Sequence, residues 1–322
     1  MLKYQVVAAV AIVSALSSAS AGTYIPVPMV PGAVSEIAFS INNKNIVAGS
    51  YRDSANVEHG FFGPLDGSNW TTFDAPFDGT TGTEARSIND DGAIVGIATS
   101  PKFKVGEEFY RTPEGKFKIF RANGRKLDGI AQGANASGAS VGDYIDSEGR
   151  TVGYFGKNGE YHKDFKLHLR GQGRFPQISP RGIDNLEQNV VGFFADVSGL
   201  SHGFWQKHAK KTKPRTDIVD HPNAPGGTAL QDFSEADVIS GEWWDSEKNA
   251  HAFTLDLVTH NFTDLDPVDG STSQQAWGIN DNGFVALSTN LGQSYIFCPS
   301  NMAGCPVATS RDAEATLSNG HR

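Results

Sequence analysis

Cysteine, positive charge and long apolar segments are all scarce in this sequence. Two cysteines among 322 residues exclude a disulfide-dense scaffold. The 36 acidic residues outnumber the 27 basic ones, and the net charge of −9 argues against a nucleic-acid binder. After residue 21 no segment approaches the roughly 18 apolar residues of a membrane span, so no membrane insertion is expected. Phosphate-loop, His-Glu-x-x-His and Cys-x-x-Cys motifs are absent, and neither a cofactor nor a metal site is predicted.

The first 21 residues have the pattern of a secretory signal peptide. Lys3 supplies a short positive start, Val6 to Leu16 is apolar apart from Ser14, and Ala19-Ser20-Ala21 forms a small-x-small cleavage signal. We therefore expect the mature chain to begin at Gly22. It is expected to be secreted or extracellular, or periplasmic in a Gram-negative host, and to be a monomer.

The mature chain repeats itself six times. A short phrase ending in Ile-Asn or a variant of it recurs, and its last residues are Asn42, Asn89, Asn135, Asp184, Phe233 and Asn280. The spacing stays between 46 and 49 residues. Such a period is typical of a fold built from equivalent supersecondary units.

The pattern in each unit predicts four short strands, and no comparable stretch keeps the 3.6-residue period of a helix. The third strand is aromatic, as in Gly60-Phe61-Phe62, and the fourth strand of the third unit is expected from Phe165 to Leu169. The sixth unit lacks a fourth strand after Phe297, whereas the segment from Tyr24 to Gly32 resembles the fourth-strand segment from Phe262 to Gly270. The sequence thus predicts an all-β, six-bladed β-propeller of four-stranded antiparallel blades over residues 22–306. The N-terminal strand would complete the last blade and close the ring. A solenoid is the alternative.

Two features are predicted near the C-terminus. Cys298 and Cys305 should form a disulfide, because they are the only two cysteines of an exported chain. Residues 307–322 have the composition of a disordered tail.

The units resemble those of the HAF-repeat family of extracellular proteins, in which Ile-Asn-x-x-Gly-x-Val-Val-Gly is followed by His-Ala-Phe. In this chain the first motif corresponds to the segment from Ile88 to Gly96, and the second is present as His251-Ala252-Phe253. The resemblance spans about residues 34–297. It implies export and a repeated architecture, but no particular reaction.

Polar residues that break the repeat are the first candidates for a site. In a propeller, the loops entering the innermost strands lie nearest the axis, at the mouth of the central channel. The catalytic candidates there are Glu36, Glu84, Arg86, Arg181 and His221, and the ligand-binding candidates are Gln231, Gln275 and Trp277. Glu36 and Glu84 could form the carboxylate pair of a glycoside hydrolase. Alternatively, Arg86 or Arg181 would bind a carboxylate while His221 abstracts a proton, as in a uronate lyase. The remaining interpretation is a solvated polar channel mouth.

Aromatic residues near the ends of the second strands are the second set of candidates. Tyr51, Tyr144 and Trp243 could stack on sugar rings, although packing between blades explains such positions equally well. Three units also carry an Asp and, six residues later, a His: Asp53/His59, Asp196/His202 and Asp245/His251. Their constant spacing favours a structural role in the loop over a metal site.

These observations predict a secreted binding or interaction protein. Its ligand would be a glycan, another extracellular polymer or a small molecule at the channel mouth. The alternative is a secreted polysaccharide lyase or glycoside hydrolase that uses the Arg, His and Glu residues of the mouth. The sequence does not decide whether the protein is an enzyme.

Overall fold

A computed structural model describes residues 22–167, 169, 175–209, 214–265, 267–268, 270–300 and 305. The predicted signal peptide (1–21) and the predicted tail (307–322) lie outside the described residues. Within the described part of the chain every regular element is a strand. No described segment forms a helix of the length and apolar character that crossing a membrane requires.

The strands follow one another at short intervals along the chain. They are β1 (Gly22–Pro26), β2 (Ser35–Ile41), β3 (Ile46–Arg52), β4 (Glu58–Pro64), β5 (Thr71–Phe73), β6 (Gly82–Ile88), β7 (Ile94–Thr99), β8 (Glu107–Arg111), β9 (Phe117–Ile119), β10 (Arg121–Ala122), β11 (Arg125–Lys126), β12 (Gly129–Ala134), β13 (Ala139–Ile145), β14 (Thr151–Lys157), β15 (Glu160–Asp164), β16 (Gln177–Ile183), β17 (Asn189–Ala195), β18 (Ser201–Lys207), β19 (Arg215–Ile218), β20 (Thr228–Phe233), β21 (Val238–Trp244), β22 (Ala250–Asp256), β23 (Asn261–Asp264), β24 (Gln274–Ile279), β25 (Val285–Thr289) and β26 (Ser294–Pro299).

These strands pair in four-stranded antiparallel units. Units 1 to 5 consist of β2–β5, β6–β9, β12–β15, β16–β19 and β20–β23, and the β10–β11 hairpin lies between units 2 and 3. Unit 6 consists of β24, β25, β26 and the N-terminal β1, with Tyr24 opposite Phe297. The predicted pairing of the N-terminal strand with the last unit is confirmed, although β1 ends at Pro26.

Neighbouring units pack side by side in a fixed order. The second strand of each unit contacts the first strand of the next, and β25 of unit 6 contacts β2 of unit 1 in the same way. The first strands also contact one another in that cyclic order. The first strand of each unit is therefore its innermost strand.

Connections alternate between two faces of this assembly, because each unit is antiparallel. The loop face carries the 2–3 and 4–1 connections, such as residues 53–57 and 74–81. The turn face carries the 1–2 and 3–4 connections, such as residues 42–45 and 65–70.

On the turn face, the repeated asparagine makes hydrogen bonds both within its own turn and to the next unit. In unit 1 the Asn42 carbonyl oxygen Oδ1 accepts hydrogen bonds from the backbone N–H groups of Lys44 and Ile46, both at 3.0 Å, which fixes the turn. The Asn42 amide group then donates to the backbone oxygen of Asn89 in unit 2 at 3.0 Å. The same link runs from Asn89 to Asn135, from Asn135 to Asp184 and from Asn280 back to Asn42, at 2.7–3.1 Å. One residue type thus forms the turn and joins adjacent units.

Buried aromatic rings on the third strands form the core between units. In units 1 to 5 they are Phe61, Phe109, Tyr154, Phe204 and Phe253, which are fully buried. Each lies opposite a glycine of the second strand, as Phe61 lies opposite Gly49. A Cβ on Gly49 would come within 1.9 Å of the Ile37 backbone oxygen, so only glycine permits this close approach.

The structure corrects the predicted register in two units. In unit 5 the residue equivalent to the repeated asparagine is Ser234, not Phe233, because Ser234 N donates to Val238 O at 2.9 Å as Asn280 N does to Phe284 O. In unit 3 the fourth strand is Glu160–Asp164, whereas the sequence predicted residues 165–169. The predicted disulfide is confirmed, and its Cα atoms lie 5.8 Å apart.

Removal of β1 should destabilise the protein. A chain that starts at residue 33 loses the pairing with β26 and the buried side chains of Val27 and Val30, each 1–2% exposed. Burial of one such side chain is worth about 2 kcal/mol, so we expect the melting temperature to fall on the order of 10 °C. Deletion of residues 307–322 is the matched control. An unchanged melting curve for the N-terminal deletion would contradict the structural role of β1.

Candidate functional site

Every innermost strand contains a β-bulge at the same place. The register with the second strand shifts between Ala38 and Ser40 in unit 1, and at the equivalent position in the other five units. The residues at the shift are Phe39, Arg86, Gln132, Arg181, Gln231 and Trp277. All six line one small space at the centre of the assembly. We call this set the axial plug.

The side chains of the axial plug bind one another. The Arg86 guanidinium lies over the Phe39 ring, 4.0 Å from its centroid, and 4.9 Å from the centroid of Trp277. Arg86 Nη2 and Arg181 Nη1 both donate to Oε1 of Gln132, at 3.3 and 2.9 Å. The space left at the centre is about 20 Å³, which is room for one water molecule and too little for a sugar ring.

Carboxylates surround the plug on the second strands. Gln132 Nε2 donates to Asp143 at 3.2 Å, and Gln231 Nε2 donates to Glu242 at 3.0 Å. Burial raises the pKa of Asp143, and it raises the pKa of Glu242 to about 7. Gln275 lies beside Glu242. The structure therefore joins Arg86, Arg181, Gln231 and Trp277 of the predicted site residues in one network. Gln275 lies at its edge, and Glu84 is attached to it through an ion pair with Arg86.

Glu36 does not belong to this network, contrary to the sequence prediction. Glu84 lies five residues before Asn89 and pairs with Arg86 at 3.2 Å. Glu36 lies six residues before Asn42, so the alternation of side chains along a strand places it on the opposite face of the sheet from the position of Glu84. It is 2% exposed and accepts a hydrogen bond from the backbone N–H of Val30 at 3.3 Å. The structure does not bring Glu36 and Glu84 together as a carboxylate pair.

In other units, the residue at the position equivalent to Glu36 accepts a hydrogen bond from the backbone of the 4–1 loop. Thr83 accepts from Ala75 N, Thr228 from His221 N and Gln274 from Val268 N, at 2.9–3.3 Å. Glu36 makes the same type of contact, which assigns it a structural role.

His221 is also placed away from the plug. Its ring stacks parallel to Trp243 at 5.1 Å and packs against Phe262 at 4.8 Å, and its side chain is fully buried. Its Nε2 lies 3.2 Å from a carboxylate oxygen of Asp264. No described contact joins His221 to Arg86 or Arg181, so the arrangement predicted for a lyase is not assembled.

Tyr51, Tyr144 and Trp243, which were predicted to stack on sugar rings, differ in what their rings contact. Trp243 is half-buried and stacks on two imidazole rings, His221 at 5.1 Å and His251 at 4.1 Å, so its ring face is already in contact with protein groups. Tyr51 stacks on His59 at 5.1 Å and remains partly exposed. Tyr144 is partly exposed as well, and its hydroxyl donates to Asp164 at 2.8 Å.

The Asp–His pairs are part of the loop structure, as the sequence favoured. Asp53 Oδ1 accepts from the N–H groups of Ala55 and Val57 at 2.9 and 2.8 Å, and Asp196 and Asp245 cap their loops in the same way. The histidines bond to carboxylates, as in His59 Nδ1 to Asp74 and His202 Nδ1 to Asp220, both at 2.7 Å. Among the described residues, no three His, Cys, Asp or Glu side chains lie together where they could hold a metal ion.

A further motif of the sequence has a structural explanation. Gly199-Leu200-Ser201-His202-Gly203 matches the Gly-x-Ser-x-Gly pattern of serine hydrolases. That chemistry needs a sharp turn from a strand into a helix. Here Gly199 lies in a hairpin loop and Ser201 is the first residue of β18, opposite Ala195 of β17. The segment does not form a nucleophile elbow.

Stability should decrease from mildly acidic to mildly basic pH. Burial raises the pKa of Glu36, Asp232 and Glu242 to about 7. Since these folded-state values exceed the unfolded ones of about 4, the stabilisation present at low pH is lost as pH rises through about 7. Glu36→Gln copies the native Gln274 of unit 6 and should stabilise the fold at pH 8 by about 2 kcal/mol, with little effect at pH 5.

Denaturant unfolding at both pH values tests this expectation, with exposed Glu160→Gln as the control. A Glu36→Gln variant that is no more stable than the parent at pH 8 would contradict the assignment.

Comparisons with known proteins identify the fold but no family. No family model and no curated protein matches the sequence. Among solved structures, TolB from Acinetobacter baumannii aligns with a TM-score of 0.53 and 14% identity over 80% of this chain, which spans 64% of the TolB chain. A putative TolB from Agrobacterium tumefaciens gives 0.54 and 11% over 76% of this chain and 87% of that one. AofleA from Arthrobotrys oligospora gives 0.52 and 14% over 87% of each chain. The TolB structures are β-propeller proteins, so the chain has an all-β, propeller-like fold.

Proposed function

We propose that the chain is an exported, closed six-bladed β-propeller of HAF-repeat type, and that it works as a binding module for an extracellular glycan. Residues 22–306 would form the propeller. The ligand would bind on the loop face, at partly exposed aromatic rings that lie beside carboxylates.

Ring closure is supported by the contacts between units. The asparagine link from Asn280 to Asn42 joins unit 6 to unit 1 by the same bond that joins units 1 and 2. β1 occupies the fourth-strand place of unit 6, so the edge of β26 is covered. Export is supported by the signal-peptide pattern and by the Cys298–Cys305 disulfide, since disulfides persist in oxidising compartments.

One observation carries the glycan proposal: an aromatic ring lies beside a solvent-accessible carboxylate in more than one unit. In unit 3 the hydroxyls of Tyr144 and Tyr161 both donate to Asp164 Oδ1 at 2.8 Å. In unit 1 Tyr51 stacks on His59, whose Nδ1 bonds to Asp74, a carboxylate side chain that is 61% exposed. Aromatic faces pack against the C–H groups of sugars, and carboxylates accept hydrogen bonds from sugar hydroxyls.

Two such sites on one face suit a polymer better than a single sugar. A repeating glycan can engage both sites at once, and the second contact forms at high effective concentration. The lyase and hydrolase alternatives are less well supported, because Arg86 and Arg181 lie in the plug while His221 and Glu36 are buried elsewhere.

Glycan binding can be tested with the mature protein on a panel of immobilised extracellular polysaccharides. Tyr51→Ala and Tyr144→Ala should each weaken retention about tenfold, and the double variant should lose it because avidity is lost. The control is Val258→Ser on the turn face, where Val258 is 75% exposed.

Two results would contradict the proposal. One is the absence of retention on every polysaccharide by a correctly folded protein. The other is equal retention of the Tyr51→Ala/Tyr144→Ala double variant and the parent. New unsaturated or reducing ends in the polysaccharide would instead favour the enzyme alternative.

A further inference from the structure

The 4–1 connection of unit 2 has a regular structure that its counterparts in units 1 and 4 lack. It folds as the β10–β11 hairpin, whereas residues 74–81 of unit 1 and 219–227 of unit 4 contain no strand. Its two strands are joined by Asn123-Gly124, whose φ values of 50° and 78° are those of a type I′ turn. Phe120 and Leu127 anchor the base of the hairpin, because both are buried and Leu127 N donates to Phe120 O at 3.1 Å. The connection is therefore a well-anchored hairpin on the loop face.

The hairpin is also basic, in a chain whose net charge is −9. Residues 115–127 contain five basic side chains and no acidic one, and Arg121 and Arg125 belong to the hairpin itself. The corresponding connections of units 1 and 4 carry an acidic residue directly after the fourth strand, Asp74 and Asp220. Folding explains the features that repeat from unit to unit, whereas this departure from the repeat needs another reason.

The two arginines of the hairpin are accessible to an anion. Both residues are exposed, and Arg121 Nη1 donates to the backbone oxygen of Gly124 at 3.2 Å, which holds the side chain across the turn. Lys126 pairs with Glu107 at 2.7 Å, but within the described part of the chain neither Arg121 nor Arg125 forms an ion pair. An arginine with free N–H groups binds a carboxylate well, because two N–H donors can meet its two oxygens.

The hairpin lies beside the aromatic site of unit 3. Strand β10 contacts β15, the strand that carries Tyr161. Ala122 of β10 packs against the same buried cluster as Tyr144 and Tyr161. Arg125 is directly opposite Ala122 in the hairpin, and opposed residues share one face, so Arg125 lies on the face that meets the tyrosine cluster. A sugar ring on Tyr144 would therefore have a cationic group next to it.

We propose that the β10–β11 hairpin makes the glycan site of unit 3 selective for a polysaccharide of uronic acids, an inference that rests on the proposed function. The sugar ring packs on Tyr144, and its hydroxyls donate to Asp164. Arg121 and Arg125 bind the carboxylates of this sugar or of its neighbour in the polymer. Asp164 Oδ1 already accepts from the hydroxyls of Tyr144 and Tyr161, and these hydrogen bonds offset part of its repulsion of an anionic glycan.

Retention of the mature protein on matched polymers tests this inference. Polygalacturonate, alginate and hyaluronate are each immobilised beside their own methyl esters, which keep the backbone and lose the charge. Xylan and cellulose serve as neutral polymers. We expect retention on at least one uronate polymer to be about tenfold stronger than on its ester. Because the interaction joins exposed charges, this excess should fall as the salt concentration rises.

Substitutions in the hairpin and at Tyr144 separate charge from stacking. Arg121→Gln/Arg125→Gln should lower retention on the uronate polymer to that on its ester, and should leave retention on the ester unchanged. Tyr144→Ala should weaken retention on both by a similar factor, because ring packing does not depend on the charge of the sugar. The control is Arg215→Gln/Lys248→Gln, which removes two exposed positive charges from units 4 and 5 and should leave the ratio of acid to ester retention unchanged.

The outcomes distinguish this inference from the proposed function. Equal retention on each uronate polymer and its ester, or retention on neutral polymers alone, would overturn the role of the hairpin while glycan binding stands. An unchanged ratio in the Arg121→Gln/Arg125→Gln protein, with its melting curve intact, would overturn it as well. An equal loss in the control variant would do the same, because it would show an effect of net charge. Absence of retention on every polymer would refute the proposed function and this inference together.

Discussion

The structure depends on one extra residue in each innermost strand. At the bulge, the innermost strand pairs with the second strand both before and after one unpaired residue. That residue stands outside the hydrogen-bond ladder, and its side chain faces the axis. In five of the six units the residue after it is serine or glycine: Ser40, Ser87, Gly133, Gly182 and Gly278. At Gly133 a Cβ would lie 2.1 Å from the backbone oxygen of Arg181, so the strands approach too closely for a larger residue. The axial plug follows from the bulge.

The second constraint is the need to join six small sheets that share no continuous hydrogen-bond ladder. Two single parallel bridges connect neighbouring units, Glu58 to Gly82 and Thr151 to Gln177. The remaining cohesion comes from aromatic packing between units and from the side-chain links of the turn face. The asparagine link is broken where Asp184 and Ser234 stand, because neither has an amide group to donate. Two other bonds cross this gap: Asn185 N donates to Glu235 Oε1 at 2.5 Å, and Glu235 N donates to Asp281 Oδ1 at 2.8 Å.

The sequence predicted the repeat, the aromatic third strands, the N-terminal strand of unit 6 and the disulfide. The first three depend on a local sequence pattern, and the disulfide joins the only two cysteines of the chain. It missed the register of unit 5, where Phe233-Ser234 replaces Ile-Asn. It also misplaced Glu36, although counting back from the repeated asparagine aligns Glu36 with Thr83 and separates it from Glu84. The stacking of Trp243 on two imidazole rings could not be predicted, since His251 is its cross-strand neighbour on β22 but His221 reaches it from the 4–1 loop before β20. The axial plug could not be predicted for the same reason, because it combines one residue from each unit.

Ring closure is the claim on which the axial plug and the two faces depend, and contact between units 1 and 6 tests it most directly. Asn43 Nδ2 donates to Asp281 Oδ2 at 2.7 Å across that boundary. Cysteines introduced by Asn43→Cys and Asp281→Cys should therefore form a second disulfide under mild oxidation. Intact mass after alkylation of the mature protein should show no free thiol, while Asn43→Cys with Glu235→Cys, one unit further away, should keep two. Two free thiols in the Asn43→Cys/Asp281→Cys protein, or equal oxidation of both pairs, would contradict a closed ring.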